Sequence, residues 1–264
     1  MKLFAAIYTI AGVIVAVFIF FPIVSVVINA FHAPPALLLS HDTVAAIKLS
    51  LITATVSTLI IFILGTPLAY YLARNDSAFS RALDLLLGLE MVLPPAVAGI
   101  ALLAAFGRTG ILGRYLAVFG ITLPFTTAAV VIAQTFVALP LYVNPVRAGY
   151  ASINRNLEGA AFTLGASELY TFLKISFPLA RNATLAGAIM SWSRAMGEFG
   201  ATIMFAGNFV GRTQTMPLAV YSALQVSFNK AMVVAAVLIL ISFVILIAFG
   251  AISKRNSKRS DLNA

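Results

Sequence analysis

Long apolar runs alternate with short polar ones along this chain. Six of the runs, at roughly 4–30, 46–73, 85–106, 122–144, 181–206 and 231–252, can each form a membrane-spanning helix. At 1.5 Å rise per residue each is long enough to cross about 30 Å of hydrocarbon. No ten-residue alternation of apolar and polar positions marks barrel strands, so the predicted spans are helical. The first run carries no charge from Leu3 to Phe31, too long for the apolar region of a secretory signal, and it is kept as a span. The pattern predicts an all-α integral membrane protein of six transmembrane helices. It divides into a first helix with its external loop (1–44), a five-helix core (45–252) and a basic tail (253–264).

Composition excludes a soluble domain, since 61% of residues are hydrophobic and only 9% charged. Cysteine is absent, which removes disulfide staples and thiolate metal sites. A net charge of +9 raises nucleic acid as a partner, but the basic residues flank the spans instead. Lys2, Arg74, Arg81, Arg147, Arg155, Lys174, Arg181, Lys254, Arg255, Lys258 and Arg259 fall on one side of the six-span topology. Lys48, Arg108, Arg114, Arg212 and Lys230 fall on the other, and Arg194 lies within the fifth span. The positive-inside rule then predicts a multi-pass protein of the cytoplasmic membrane with both termini in the cytoplasm. The tail reads as a solvated cluster that touches anionic lipid.

The longest loop on that cytoplasmic side contains Asn156–Pro178, one of the few polar stretches in the sequence. Leu157, Ala160, Ala161 and Leu164 recur at helical spacing and predict one narrow apolar face. Asn156 is the expected N-cap, with Glu158 near the positive end of the helix. Gly165 supplies the left-handed turn that ends it. Ser167 is expected to cap a second short helix, in which Leu169, Phe172 and Leu173 share a face, and Pro178 closes the unit. Two short helices at an angle on the membrane surface form a knob that another protein can grip.

Charges inside spans are expensive and each needs a reason. Arg194 and Glu198 stand four apart, where they can pair on one helix face, either as a structural brace or as part of a gate or solute path. Glu90, before Met91-Val-Leu-Pro-Pro95, is either a proton relay or an acid buried at a helix break. Pro94, Pro95 and Gly99 interrupt the third span, and Pro140 and Pro145 the fourth, so both are expected to be kinked or broken. His32 and His41, near Asp42, are a poor metal signature and read as loop residues. No Gly-x-x-x-x-Gly-Lys-[Ser/Thr] loop occurs, so an ATP engine would have to be another polypeptide.

Gly159-Ala160-Ala161-x-x-x-Gly165 followed by Ile175-x-x-Pro178 resembles the cytoplasmic coupling motif of importer-type ABC transporter permeases. In that family the first position is usually Glu. Here it is Gly159, with Glu158 one residue earlier, so an expected capping or ion-pairing contact to the ATPase is either missing or supplied from Glu158. On this resemblance Glu158, Gly159, Ala160, Ala161, Gly165, Ala166, Ser167, Ile175 and Pro178 are the candidate coupling residues. Two further stretches resemble the molybdate/tungstate branch, with the related sulfate importers behind it. These are Leu93-Pro-Pro-Ala-Val-Ala-Gly99 onward to Gly110, and Met196-Gly-Glu-Phe-Gly-Ala-Thr202 onward to Asn208, continued by Arg212–Tyr221.

The resemblance implies a type I importer permease fold with its coupling helix pair between helices 4 and 5. It implies a homodimer, two ATPase subunits that bind the ATP and Mg, and an extracytoplasmic binding protein that delivers the oxyanion. No cofactor is implied in this chain. Alternating access would move molybdate or tungstate along a wet, weakly binding path near Pro94, Pro95, Gly99, Arg194, Glu198 and Thr202. A sulfate permease is the alternative within the branch. An ATP-independent secondary transporter is the wider rival, against which stand the absence of an inverted hydropathy repeat and of a buried chain of acids.

Overall fold

A computed structural model describes residues 2–34, 37 and 40–261, with side chains described for 4–34, 37 and 40–247. The described residues with regular structure are helical throughout. Among the described residues, four helices are long and apolar enough to cross a membrane, α1 (Lys2–Phe31), α2 (His41–Arg74), α6 (Thr127–Ala151) and α13 (Phe228–Asp261). The other two expected spans are each built from two pieces. The third comprises α3 (Ala78–Val92) and α4 (Pro95–Phe106), and the fifth α10 (Arg181–Met196) and α11 (Gly200–Phe205). A short α5 (Gly113–Val118) follows α4, and α12 (Met216–Val226) follows α11. Side chains of the tail at 253–264 lie outside the described residues, although the α13 backbone runs on to Asp261.

Proline acts differently in the third and fourth spans. Leu93 and Pro94 are both extended, with ψ of 127° and 133°. Each precedes a proline, whose ring disfavours the helical conformation of the residue before it, and two such residues in succession break the span. Pro95 then sits at the start of α4, where its missing N–H costs nothing. The fourth span, expected to be kinked or broken, is not broken. Isolated Pro140 and Pro145 are carried inside an uninterrupted α6, because tightly packed neighbours tolerate the locally freed carbonyls.

Helix α6 is the spine of two cores. Toward its C-terminus Ala138, Tyr142, Val143, Val146 and Tyr150 pack with Ile61, Ala69 and Leu72 of α2, Leu87 of α3, and Trp192 and Met196 of α10. Toward its N-terminus Ala129, Val130, Ala133 and Val137 pack with Ala98 and Leu102 of α4 and with Ala201 and Phe205 of α11. Small residues let the backbones approach, as membrane helices require when lipid supplies no hydrophobic drive. A Cβ at Gly187 of α10 would lie 2.9 Å from the Tyr142 carbonyl oxygen, and one at Gly65 of α2 2.8 Å from the Tyr142 ring. Gln134 knits the three helices, accepting from Ser57 Oγ (3.1 Å) and donating to the Ala195 carbonyl (3.0 Å). A third, smaller core joins Ala46 of α2, Met216 and Ala219 of α12, and Val234 of α13. Helix α1 stands outside these cores, exposing Phe, Ile and Val side chains along most of its length, as a lipid-facing helix does.

Candidate functional site: an inverted helical knob and two facing helix breaks

The loop between α6 and α10 is ordered as α7 (Arg155–Thr163), α8 (Glu168–Thr171), a π turn (Phe172–Ser176) and α9 (Phe177–Leu179). Asn154, not Asn156, caps α7, its Oδ1 accepting from the Asn156 amide at 2.9 Å. The helix starts two residues earlier than the expected cap allows because Asn154 already holds extended backbone (φ −61°, ψ 118°). Gly165 adopts φ +83°, the left-handed turn expected of it, and Ser167 caps α8 by accepting from the Tyr170 amide at 3.3 Å.

The orientation of α7 departs from the simple amphipathic expectation. Its buried residues are Glu158 and Ala161, while Leu157, Phe162 and Leu164 point outward, Leu164 with 87% of its surface exposed. Glu158 is only 6% exposed. Its Oε1 receives Arg74 Nη2 at 2.7 Å and Nε at 3.3 Å, Ser176 Oγ at 2.6 Å and the Tyr70 hydroxyl at 3.5 Å. Burial alone would raise this carboxyl. Hydrogen bonds from Arg74 and Ser176, then the Arg74 charge and the Tyr70 hydroxyl, outweigh it and hold the group below the ordinary carboxylate value. The expected shared face of Leu169, Phe172 and Leu173 also divides. The extra residue of the π turn sends Phe172 inward onto Tyr70 and Tyr150, ring centroids 5.0 and 6.1 Å away, and leaves Leu169 and Leu173 exposed. Of the other candidate coupling residues, Gly159, Ala160, Gly165, Ser167 and Pro178 are exposed, and Ala166 and Ile175 are half-buried.

The two broken spans meet. A Cβ at Gly99 of α4 would lie 2.7 Å from the Ala201 carbonyl oxygen and from Met204 Cβ, and one at Gly200 would lie 2.8 Å from Pro95 Cβ. Arg194 and Glu198 do pair, Nη1 to Oε2 at 2.7 Å. Glu198 nevertheless falls in the break after α10, where its other oxygen accepts the amide of Ala201 in the first turn of α11 at 2.7 Å. Its side chain is 1% exposed and that of Arg194 29%. Glu90, half-buried near the end of α3, lies within electrostatic reach of both. Pro94, Pro95 and Arg194 therefore reach the open face of the break, while Gly99, Glu198 and Thr202 are buried behind it. Arg147 of α6 pairs with Asp84 of α3.

Sequence reasoning missed Arg74, Tyr70 and Ser176 as partners of Glu158. The signal available was Arg74 as the last residue of a long apolar run, where a basic side chain favours the helix C-terminus and its free carbonyls.

Broken apolar helices packed through glycines, with a polar-anchored but apolar-faced knob at one end, define a polytopic helical membrane protein. The comparisons with known proteins agree in kind. This chain belongs to the family of binding-protein-dependent transport system inner membrane components, whose model matches residues 65–258. It is 38% identical over 250 residues to a probable transport system permease protein of Clostridium pasteurianum, covering 93% of this chain and 87% of that one. It is also 38% identical over 243 residues to the molybdenum transport system permease protein of Mycobacterium tuberculosis, covering 92% and 91%. Among solved structures, a bacterial alginate ABC transporter in complex with a pentasaccharide-bound periplasmic protein superposes with a TM-score of 0.78 over 96% of this chain and 94% of that one. At 15% identity the superposition establishes the importer permease fold.

Proposed function

We propose that this chain is the membrane-spanning subunit of an ATP-driven importer for molybdate or the chemically similar tungstate, working as a homodimer with two ATPase subunits and an extracytoplasmic binding protein. The observation that carries the reading is the inverted knob. Leu157, Phe162, Leu164, Leu169 and Leu173 present exposed apolar side chains on a loop that is otherwise polar. Such a patch on a loop outside the spans marks a protein contact. The partner that fits is a groove on an ATPase, because the chain shares its fold with a subunit of a bacterial ABC transporter and this sequence has no phosphate-binding loop of its own. The basic flanks support a cytoplasmic position for the knob and both termini. The named oxyanion rests on the molybdenum permease relative.

In this reading nucleotide-driven closure of the ATPases pulls two knobs together, and the motion reaches the facing breaks at Pro94 and Glu198. Helix breaks at membrane depth are tolerated where they line a wet cavity, and Pro94, Pro95 and Arg194 lie on the open side. The Arg194 charge is committed to Glu198, so the path offers a dianion passage rather than a tight cage.

The test is uptake of radiolabelled molybdate into proteoliposomes carrying this chain, the ATPase and the binding protein, with tungstate and sulfate as competitors. Tungstate should compete at concentrations like those of molybdate, and sulfate only at far higher ones. Equal competition by sulfate moves the substrate assignment to the sulfate branch.

A further inference from the structure

Glu158 stands one position before the residue that the coupling motif would use to reach an ATPase, yet it is turned wholly inward. Its ligand Arg74 is the last residue of α2, eighty-four positions away in sequence. Arg74 also donates from Nη1 to the Tyr150 carbonyl at 2.9 Å, near the end of α6. A second arginine crosses the same junction in the opposite direction, Arg155 Nη2 lying 3.4 Å from the Ala73 and Arg74 carbonyls. Ser176 brings the π turn to the same carboxylate oxygen. One oxygen atom thus gathers the C-terminus of α2, the first turn of α7 and the segment that leads into α10.

From this geometry we propose that the Arg74–Glu158–Ser176 clasp is the positioning element through which knob motion is passed to α2, and that Glu158 serves this internal joint rather than the ATPase. The proposal rests on the coupling role given to the knob above. The covalent chain already ties the knob to α6 and to α10, because both are its neighbours in sequence. Helix α2 has no such connection, and it packs along both of those helices. Without the clasp a pull on the exposed face of α7 would slide the knob across the end of α2. With it, the three helices are drawn as one body. Gly159 fits the same division of labour. A Cβ there would meet nothing within 4 Å, so its bare surface answers no packing demand inside this chain. The outward side of α7 is left to the partner and the inward side to the clasp.

A double-mutant cycle in the reconstituted complex tests this. Glu158→Met or Arg74→Met alone strands one buried charge and loosens the joint, and should lower molybdate taken up per ATP hydrolysed by about tenfold or more. Arg74→Met with Glu158→Met removes both charges and should recover most of that loss, because an apolar pair of similar volume can replace a buried ion pair. Ser176→Ala, a milder change that leaves both charges, should lower the ratio modestly in the wild-type background and not at all in the double variant. Co-purification of the ATPase should be unchanged in all five variants. Two results overturn the proposal. One is a double variant no better than Glu158→Met, which would mean that Glu158 answers to the ATPase. The other is loss of bound ATPase in step with loss of transport. If the wild-type complex takes up no molybdate, the substrate assignment fails instead, and the same cycle is read in the binding-protein-stimulated ATPase rate.

Discussion

Replacing Gly165 separates the bend of the knob from every other property of the chain. The residue holds φ +83°, and a Cβ built there would meet nothing within 4 Å. Any cost of substitution is therefore conformational, with no steric part from neighbours. A β-branched side chain in the left-handed region costs about 1–2 kcal/mol. At 1.4 kcal/mol per factor of ten, that disfavours the bent knob by about 5- to 30-fold relative to an opened one. Docking to the ATPase weakens by as much as that factor if only the bent form fits the groove. Asparagine adds the same Cβ but visits the left-handed region readily, so Gly165→Asn should retain most activity. The expected order of ATP-driven uptake is Gly, then Asn, then Ala, then Val. Membrane insertion should be unaffected, because the spans are untouched. Wild-type uptake by Gly165→Val, or equal loss in the Asn and Val variants, would refute the reasoning. The first outcome means that the bend is not needed, and the second that bulk rather than backbone is the cause.

Three further outcomes are expected. Arg194→Ala leaves the almost fully buried Glu198 carboxylate without its partner and should lower thermal stability in detergent, on the scale of about 3–5 kcal/mol. The Arg194→Ala, Glu198→Ala double variant should lose less than the sum of the singles; strict additivity would mean that the pair carries no coupling energy. Gly187→Val forces a side chain onto the Tyr142 backbone and should destabilise by about 1–3 kcal/mol, whereas Gly159→Ala, in open space, should leave the melting temperature of the chain alone. Glu158 is held below the ordinary carboxylate value, so its contribution is complete above that value and is lost as pH falls through the lower folded-state one. Proteolysis of the α7–α8 segment should therefore be flat from neutral pH down to about pH 5 and rise only in more acid solution, and Glu158→Gln should abolish that acid-dependent rise.

The long apolar runs were legible because lipid demands a signal that local context cannot override. The expected spans 4–30 and 46–73 lie within α1 and α2. The helix–glycine–helix plan of the knob was legible for a similar reason, since Gly165 and Ser167 act through their own backbones. Three features were not. The face that α7 buries depends on Arg74 and Ser176, and helical periodicity assigns a carboxylate to the outside unless a partner from another helix is known. The π turn at 172–176, which coincides with the inward packing of Phe172, has no local sequence signature. Helix α12 lies between the fifth and sixth expected spans and is too short to be a span itself, yet Met216, Leu218 and Ala219 are buried against neighbouring helices. At the candidate path the Arg194–Glu198 pair was legible at i, i+4. Its position inside a helix break was not, because the hydrogen bond from the Ala201 amide to Glu198 depends on how α11 packs against α4.

The most direct measurement is molybdate uptake into proteoliposomes that hold this chain and its binding protein, with the ATPase either included or left out. If the membrane subunit has no motor and receives its stroke through the knob, uptake requires both ATPase and hydrolysable nucleotide, and a proton or sodium gradient does not substitute. Uptake driven by an ion gradient alone, with no ATPase present, would contradict the account.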